Sequence, residues 1–432
     1  MNKVRKNIQN KLSRLGRDIK NTHLSDLQDS SDFKNKVIEL DFLTFDYSKQ
    51  RIDGKTLDYL LQVPDLINLK DSLHLLFTGK ENNPSENKAV THTIYRNQNS
   101  EDNFELIFTE RERIESFLDQ KQSGYSFKNL ICLSIGGSRL GPELLNEFLS
   151  SDNPVNIYFC SSYDLEELNG VLRKCLQSET IVFASSKSFE TSEVKKNLEH
   201  VKSWFSLNPE INFEDHLYGI SANIPAMTDF GIKKDNQYPL LDSLGGRFSI
   251  WSSISIPAFV NSDYESYLEF IQGAHLADEY TNNTPWQSNI SVLMALLSIW
   301  NNNALQISNH AIFTYSFKLR SLTKYIAQLS MESNGKSINF DSTVSPFLTS
   351  PLIWGGYGIE NQHSTFQWLM QGKTETSCDF IGINNNESSS KDSYEMLLSQ
   401  VLAMTYGQED KTSNFKNVRG NNPCSIFQIK NL

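Results

Sequence analysis

Glu332 stands in the stretch Ser330 to Ser337, "SMESNGKS", whose last three residues are those that close a nucleotide-binding P-loop. A P-loop needs a glycine five residues ahead of its Gly-Lys, placed between a strand and a helix. Position 330 is serine, and Leu319, Leu322, Ile326 and Leu329 recur at helical spacing, so the stretch leaves a helix rather than a strand. What remains is a carboxylate beside an Asn-Gly pair that favours a tight turn. Two uses are open. One is a plain helix end, with Asn334 or Gly335 in the left-handed conformation and Lys336 near the last carbonyls. The other is a general base.

Three further clusters bear on that choice. Gly136-Gly137-Ser138 ends an apolar run and precedes a helix start, where glycines let backbone approach a ligand and free amides suit an anion. With glycines at 136, 137 and 141 it is not the dinucleotide fingerprint. Ser186-Lys187-Ser188 and Thr191 gather three hydroxyls and one ammonium at a second helix start, the donor set that holds a small phosphate monoester. The plain alternative there is an N-cap at Thr191 with turn-forming serines.

Arg247 follows Gly245-Gly246, and His363 follows the glycine-rich "GGYGIENQ" at an expected helix start. An arginine so placed can stabilise developing negative charge, or can serve a structural ion pair. A helix start favours the neutral imidazole that acid-base work needs; otherwise His363 is a surface residue. Together these are a phosphate cradle, a carboxylate, an arginine and a histidine, with no metal-ligand cluster. Such a set can move a proton next to a carbonyl.

The chain that must position these groups has 432 residues, enough for two or three domains, and its 38% hydrophobic and 21% charged residues fit a globular protein. The densest apolar run, "SVLMALLSIW", is too short to span a bilayer and belongs in a buried helix. A cytoplasmic, enzyme-sized protein without a membrane partner is the expectation. A net charge of −11 disfavours nucleic acid as partner but not a small phosphate ester. Five scattered cysteines without a CxxC pair make neither a disulfide framework nor a zinc site. The basic first twenty residues carry Ile8, Leu12, Leu15 and Ile19 at helical spacing, read as an ordinary surface helix, a transit peptide or a membrane-surface helix.

Apolar runs alternate with helical segments. "NLICLSIGG", "TIVFASS" and "HLYGISA" read as buried strands of a first sheet, and "HAIFTYS", "SPLIWGG", "CDFIGI" and "CSIFQIK" as those of a second. "NNNESSSKDS" reads as a loop. The expected architecture is α/β: two doubly wound parallel-sheet lobes, residues 101–265 and 266–432, behind a mainly helical segment 1–100. In such sheets ligands sit beyond the carboxyl ends of strands, where the clusters above fall.

"SIGGSRLGP", "SSKSFETSE", "LGGRFSIWS", "MESNGK" and "NQHSTFQWLMQG", in this order, resemble the glucose-6-phosphate isomerase family. The likeness runs from "FDYSKQRI" through "ENKAVTHTIYRN" to "GNNPCSIFQIKNL". It implies the sugar-isomerase (SIS) type of lobe and reversible conversion of glucose 6-phosphate to fructose 6-phosphate in glycolysis and gluconeogenesis, without a cofactor because hydrogen moves as a proton. Glu332 would shuttle that proton between C1 and C2, Arg247 stabilise the enediolate, and His363 assist ring opening. Ser186, Lys187, Ser188 and Thr191 would receive the phosphate, with Gly137, Ser138, Gly246 and Gln328 lining the sugar site. Family members are dimers, and His363 would come from the neighbouring subunit.

Some positions depart from the family pattern. Arg139 follows Gly-Gly-Ser, Lys88 replaces an arginine, and Ile359-Glu360-Asn361 precedes Gln-His. Glu190 interrupts the phosphate loop, and repulsion of a phosphate requires it to point outward. The family's closing segment, with an active-site lysine, has no counterpart before Leu432; a last strand without its covering helix leaves one sheet face open, so the sequence reads as truncated or partial, and if 432 residues is the natural length an unstable fold and impaired ring opening are expected. A sugar-phosphate binder on the same fold without turnover is the competing expectation.

Overall fold

The computed structural model describes residues 2–27, 36–97, 104–122, 127–149, 154–385 and 387–430; the chain end at Leu432 lies outside them. The chain divides into two compact units, Met1–Leu73 with Tyr280–Leu432, and His74–Glu279. Along the chain the strands are β1 (Val37–Glu39), β2 (Leu43–Lys49), β3 (Asn82–Asn83), β4 (Lys88–Ala89), β5 (Asn129–Leu133), β6 (Asn156–Cys160) and β7 (Thr180–Ser185). They continue as β8 (Leu217–Ser221), β9 (Gln237–Pro239), β10 (Asn309–Thr314), β11 (Leu352–Tyr357), β12 (Ser377–Ile383) and β13 (Cys424–Ile429).

The unit His74–Glu279 is built on a five-stranded sheet of order β6-β5-β7-β8-β9, parallel throughout. Its inner strands β5, β7 and β8 are buried at every position, which is why they read as unbroken apolar runs. Because β6 lies on one side of β5 and β7 on the other, the chain winds both ways from β5. The loops leaving β5 and β7 therefore diverge at a topological switch point, the place where such sheets bind ligands.

The other unit carries a six-stranded sheet of order β1-β2-β13-β12-β10-β11. Strands β10 to β13 pair in parallel, whereas β2 joins β13 antiparallel and brings β1 with it. Helix Asn2–Ile19 buries Ile8, Leu12, Leu15 and Ile19 in a core shared with Phe45, Leu293, Leu297 and Trp300. Its apolar stripe is thus packed inside the unit rather than offered to a membrane surface. The apolar run becomes helix Ile290–Ile299, with five of its side chains buried.

Three features differ from the sequence expectations. The first hundred residues do not form one helical segment: β1 and β2 belong to the six-stranded sheet, and the chain from His74 on belongs to the other unit. The second boundary falls at Tyr280 rather than 266. The Asn/Ser-rich run is helical from Ser388, in helix Ser388–Tyr406, whose first turns are solvated and need no apolar residues. Among the described residues, no helix is long and apolar enough to cross a membrane.

Candidate active site

In the unit His74–Glu279, two loops leave the switch point. After β5, Gly136 takes φ 60 and ψ −129, a conformation open to glycine, and accepts the N–H groups of Arg139 and Leu140 as helix Gly137–Phe148 begins. Gly136, the N-cap residue, has no side chain with which to cap that helix start. Gly137 lies so close to the Gly246-Arg247 backbone that a β-carbon would stand 2.3 Å from the Gly246 carbonyl oxygen and 2.5 Å from the Arg247 Cα. Ser138, half-buried, follows in the helix's first turn. Arg139 turns aside to Glu143 and Glu167, at 3.3 and 3.2 Å, and to the Ser161 hydroxyl.

After β7 comes the hydroxyl loop. Ser186 Oγ lies 2.7 Å from Thr191 Oγ1, and Phe189 between them adopts φ 54 with its ring buried in the core. Thr191 is the N-cap of helix Ser192–Phe205 by position, but its hydroxyl bonds Ser186 and caps nothing. The helix's first amides thus lack the usual side-chain acceptor, the condition in which a helix start binds an anion. Ser188 Oγ accepts the Glu190 N–H, and Glu190 points outward to Lys195, as repulsion of a phosphate requires. Ser221 Oγ and Asn223 Nδ2, from the end of β8, donate to the Lys187 and Ser188 carbonyls at 2.9 and 3.1 Å and fix the loop's path.

The Lys187 ammonium stands 3.6 Å from Glu86 and 4.0 Å from Asp242. Lys88, on β4, takes Asp242 at 2.6 Å, and its ammonium, with Lys187 nearby, holds the Asp242 carboxyl below the usual carboxylate range. Arg247 belongs to the 3₁₀ helix Gly246–Trp251, its guanidinium 5.2 Å from the Phe248 ring centroid. On that ring's neighbourhood His92 stacks, 4.5 Å from Phe248. Burial, then the Arg96 and Arg247 charges, push the His92 imidazole down to about 3, so it stays neutral at physiological pH. A β-carbon on Gly246 would meet open space, so this glycine faces the solvent side of the loop.

In the other unit, Glu332 is exposed near the end of helix Leu322–Asn334, and Gln328 lies one turn earlier on the same face. The Gln328 Oε1 is buried without a hydrogen-bond partner among the described residues. The helix does end here: Lys336 Nζ donates to the Glu332 and Ser333 carbonyls, each at 2.7 Å, and the Gly335 N–H to Met331. Gly335 has φ −71, however, so the left-handed cap is absent, and glycine is needed because a β-carbon would stand 2.4 Å from the Met331 carbonyl oxygen. The plain helix-end reading describes the backbone, and the Glu332 side chain itself is exposed.

His363 is not at a helix start. Gly355 and Gly356, at φ 122 and 146, redirect the chain at the end of β11 straight into helix Gly358–Asn361, and His363 falls in the turn before helix Phe366–Gln371, its N–H bonded to the Glu360 carbonyl. Within each unit the expected residues cluster as follows: Gly137, Ser138, Gly246 and Arg247 around one close backbone contact, Ser186, Lys187, Ser188 and Thr191 in one loop, Gln328 and Glu332 on one helix. Glu86, Asp242, Ser221 and Asn223 were not visible from the sequence, because they come to the loop from distant strands and turns.

Residues 46–421 match the model of the family described as phosphoglucose isomerase. The glucose-6-phosphate isomerase of Pseudoalteromonas translucida is 34% identical over 407 residues, covering 90% of this chain and 74% of that protein. That of Buchnera aphidicola subsp. Cinara cedri is 34% identical over 437 residues, covering 96% and 80%. Among solved structures, a glucose-6-phosphate isomerase from Chlamydia trachomatis superposes with a TM-score of 0.89 at 28% identity, over 97% of this chain and 85% of that one.

Proposed function

The chain belongs to the phosphoglucose isomerase family and is an isomerase, and from that premise we propose that it interconverts D-glucose 6-phosphate and D-fructose 6-phosphate through a cis-enediol. The observation that carries the substrate side is the Ser186–Thr191 hydroxyl pair, which leaves the start of helix Ser192–Phe205 without a side-chain cap. A phosphate monoester supplies the missing acceptors. Ser186, Lys187, Ser188 and Thr191 bind it, and the Lys187 ammonium then exchanges the long contacts to Glu86 and Asp242 for the phosphate's charge.

Moving a proton between C1 and C2 requires one base that accepts it at one carbon and returns it at the other, a role we assign to Glu332. The negative charge that develops on the enediolate oxygens needs a fixed cation, and Arg247 fills that role from a loop clamped against Gly137. His363 assists ring opening, and Gly137, Ser138, Gly246 and Gln328 contact the sugar. Small residues suit such contacts because backbone reaches the ligand.

Met331, next to Glu332, receives the N–H of Ile353 at the start of β11 on its Sδ, whereas His363 follows the strand's end in sequence. One chain's β11 thus separates Glu332 from His363, which supports a homodimer in which His363 serves the neighbouring subunit's substrate. With these substrates, a cytoplasmic role in glycolysis and gluconeogenesis is part of the proposal.

The test is a coupled assay in both directions with purified protein, read beside binding of each sugar phosphate. Interconversion without added metal or cofactor is expected. Binding of both esters with no turnover would instead support the silent sugar-phosphate binder.

A further inference from the structure

Glu110 is a carboxylate with no surface: its exposure is 0% in helix Phe104–Gln122. Its Oε1 accepts the backbone N–H of Ser253 at 2.7 Å, and its Oε2 has no partner among the described residues. Burial, against the opposing effects of the Ser253 hydrogen bonds and the Arg111 charge, raises its carboxyl to about 7. A buried ionisable group held with one oxygen unpaired costs stability, and a hydrophobic residue of the same size would avoid that cost. What the carboxylate does for the fold is therefore local to Ser253, the residue it bonds.

That bond falls at a joint. The segment that carries Arg247 is a 3₁₀ helix, Gly246–Trp251, followed by a second, Ser253–Ser255. Between them Ser252 is extended, at φ −106 and ψ −173, and Ser253 is the first residue of the next turn, where an N–H has no partner within its own helix. Short 3₁₀ turns have little stability of their own, so their geometry depends on outside anchors. The Gly246 end is fixed by its contact with Gly137, and Tyr267 Oη holds the Trp251 carbonyl at 2.9 Å. The buried serine hydroxyls reinforce the turn from within: Ser249 Oγ donates to the Gly246 carbonyl at 2.6 Å and Ser252 Oγ to the Ser249 carbonyl at 2.7 Å. Glu110 supplies the clamp on the far side of the joint.

We propose that Glu110 is a positioning residue for Arg247: by accepting the Ser253 N–H it fixes the far end of the turn whose near end is wedged against Gly137, and so sets where the guanidinium stands. This rests on the role assigned to Arg247 above. Glu110 touches neither substrate nor proton.

Steady-state kinetics on fructose 6-phosphate and thermal unfolding of four variants test it. Glu110→Gln keeps an acceptor and retains kcat within about threefold, whereas Glu110→Met keeps the volume, removes the acceptor and lowers kcat about ten- to a hundredfold, with KM within about twofold. Arg247→Ala lowers kcat, and adding Glu110→Met to Arg247→Ala lowers it no further, because both act through one group. If Arg247→Ala is slow while Glu110→Met turns over normally, or if the two losses multiply, the positioning claim is overturned and the arginine's role stands. If Arg247→Ala keeps its kcat, that role falls and the positioning claim with it. A Glu110→Gln variant as slow as Glu110→Met, or a Glu110→Met chain that does not fold, also overturns the proposal.

Discussion

Met331, beside Glu332, takes the N–H of Ile353, the second residue of strand β11, on its sulfur at 3.4 Å, and His363 comes six residues after Tyr357, the strand's last. Six residues of strand span roughly 20 Å. Under the proposed function, a site that uses both Glu332 and His363 would draw them from two copies of the chain.

Subunit mixing tests that arrangement. Glu332→Gln and His363→Ala, each inactive or nearly so, are unfolded together and refolded in equal amounts. Half the dimers are then mixed, each with one wild-type site of two, and recovered activity is about a quarter of wild type. No recovery on mixing would place both groups in the same chain's site.

The hydroxyl pair at the phosphate loop predicts a binding defect rather than a chemical one. Thr191→Val removes the partner 2.7 Å from Ser186 Oγ and one donor to the phosphate. A charge-assisted hydrogen bond contributes about 1.5–3 kcal/mol, so KM for fructose 6-phosphate rises about tenfold or more while kcat stays within about twofold. Inhibition by inorganic phosphate weakens in parallel. An unchanged KM would mean the loop does not hold the ester.

His92 gives the protein a pH dependence of known sign. Its imidazole falls from 6.5 in the unfolded chain to about 3 in the fold, through burial and the Arg96 and Arg247 charges. Between these values the unfolded chain binds the extra proton, so this contribution to stability is complete above 6.5 and is lost as the pH drops towards 3. Glu110 and Asp278, raised to about 7 and about 6, act in the opposite sense, losing their contribution as pH rises. Urea midpoints of wild type and His92→Phe, which keeps a ring against Phe248, isolate the histidine: their difference is constant above 6.5 and shifts in favour of the variant below it. A difference flat down to pH 4 would contradict the burial of a neutral ring.

The sequence made visible what local chemistry dictates. Strands β5, β7 and β8 are buried on both faces and so are written as continuous apolar runs, and the glycines and hydroxyls of their exit loops announce themselves by type. Strand β6 is an edge strand with one buried residue of five, and β9 has three residues, so neither carries a strong pattern. Strand β2 owes its place to β13, far along the chain, where Ile426 pairs with Asp46, and nothing near Leu43 encodes that partner. The same holds at the site. Ser186, Lys187 and Thr191 could be read in place, whereas Asp242, Glu86 and the Ser253 bond of Glu110 exist only once distant segments meet. His363 was expected at a helix start because Gly355 and Gly356 mark a chain reversal, but a four-residue helix intervenes.

The central claim is that the Glu332 carboxylate carries a proton between C1 and C2. The direct measurement is deuterium at C2 of the glucose 6-phosphate formed from fructose 6-phosphate in D₂O. Wild type is expected to form product with solvent deuterium at C2, and Glu332→Gln to slow product formation by about a thousandfold or more while still binding the ester. Product formed at the wild-type rate by Glu332→Gln, or wild-type protein that leaves both carbons unexchanged and the sugar unconverted, would contradict it.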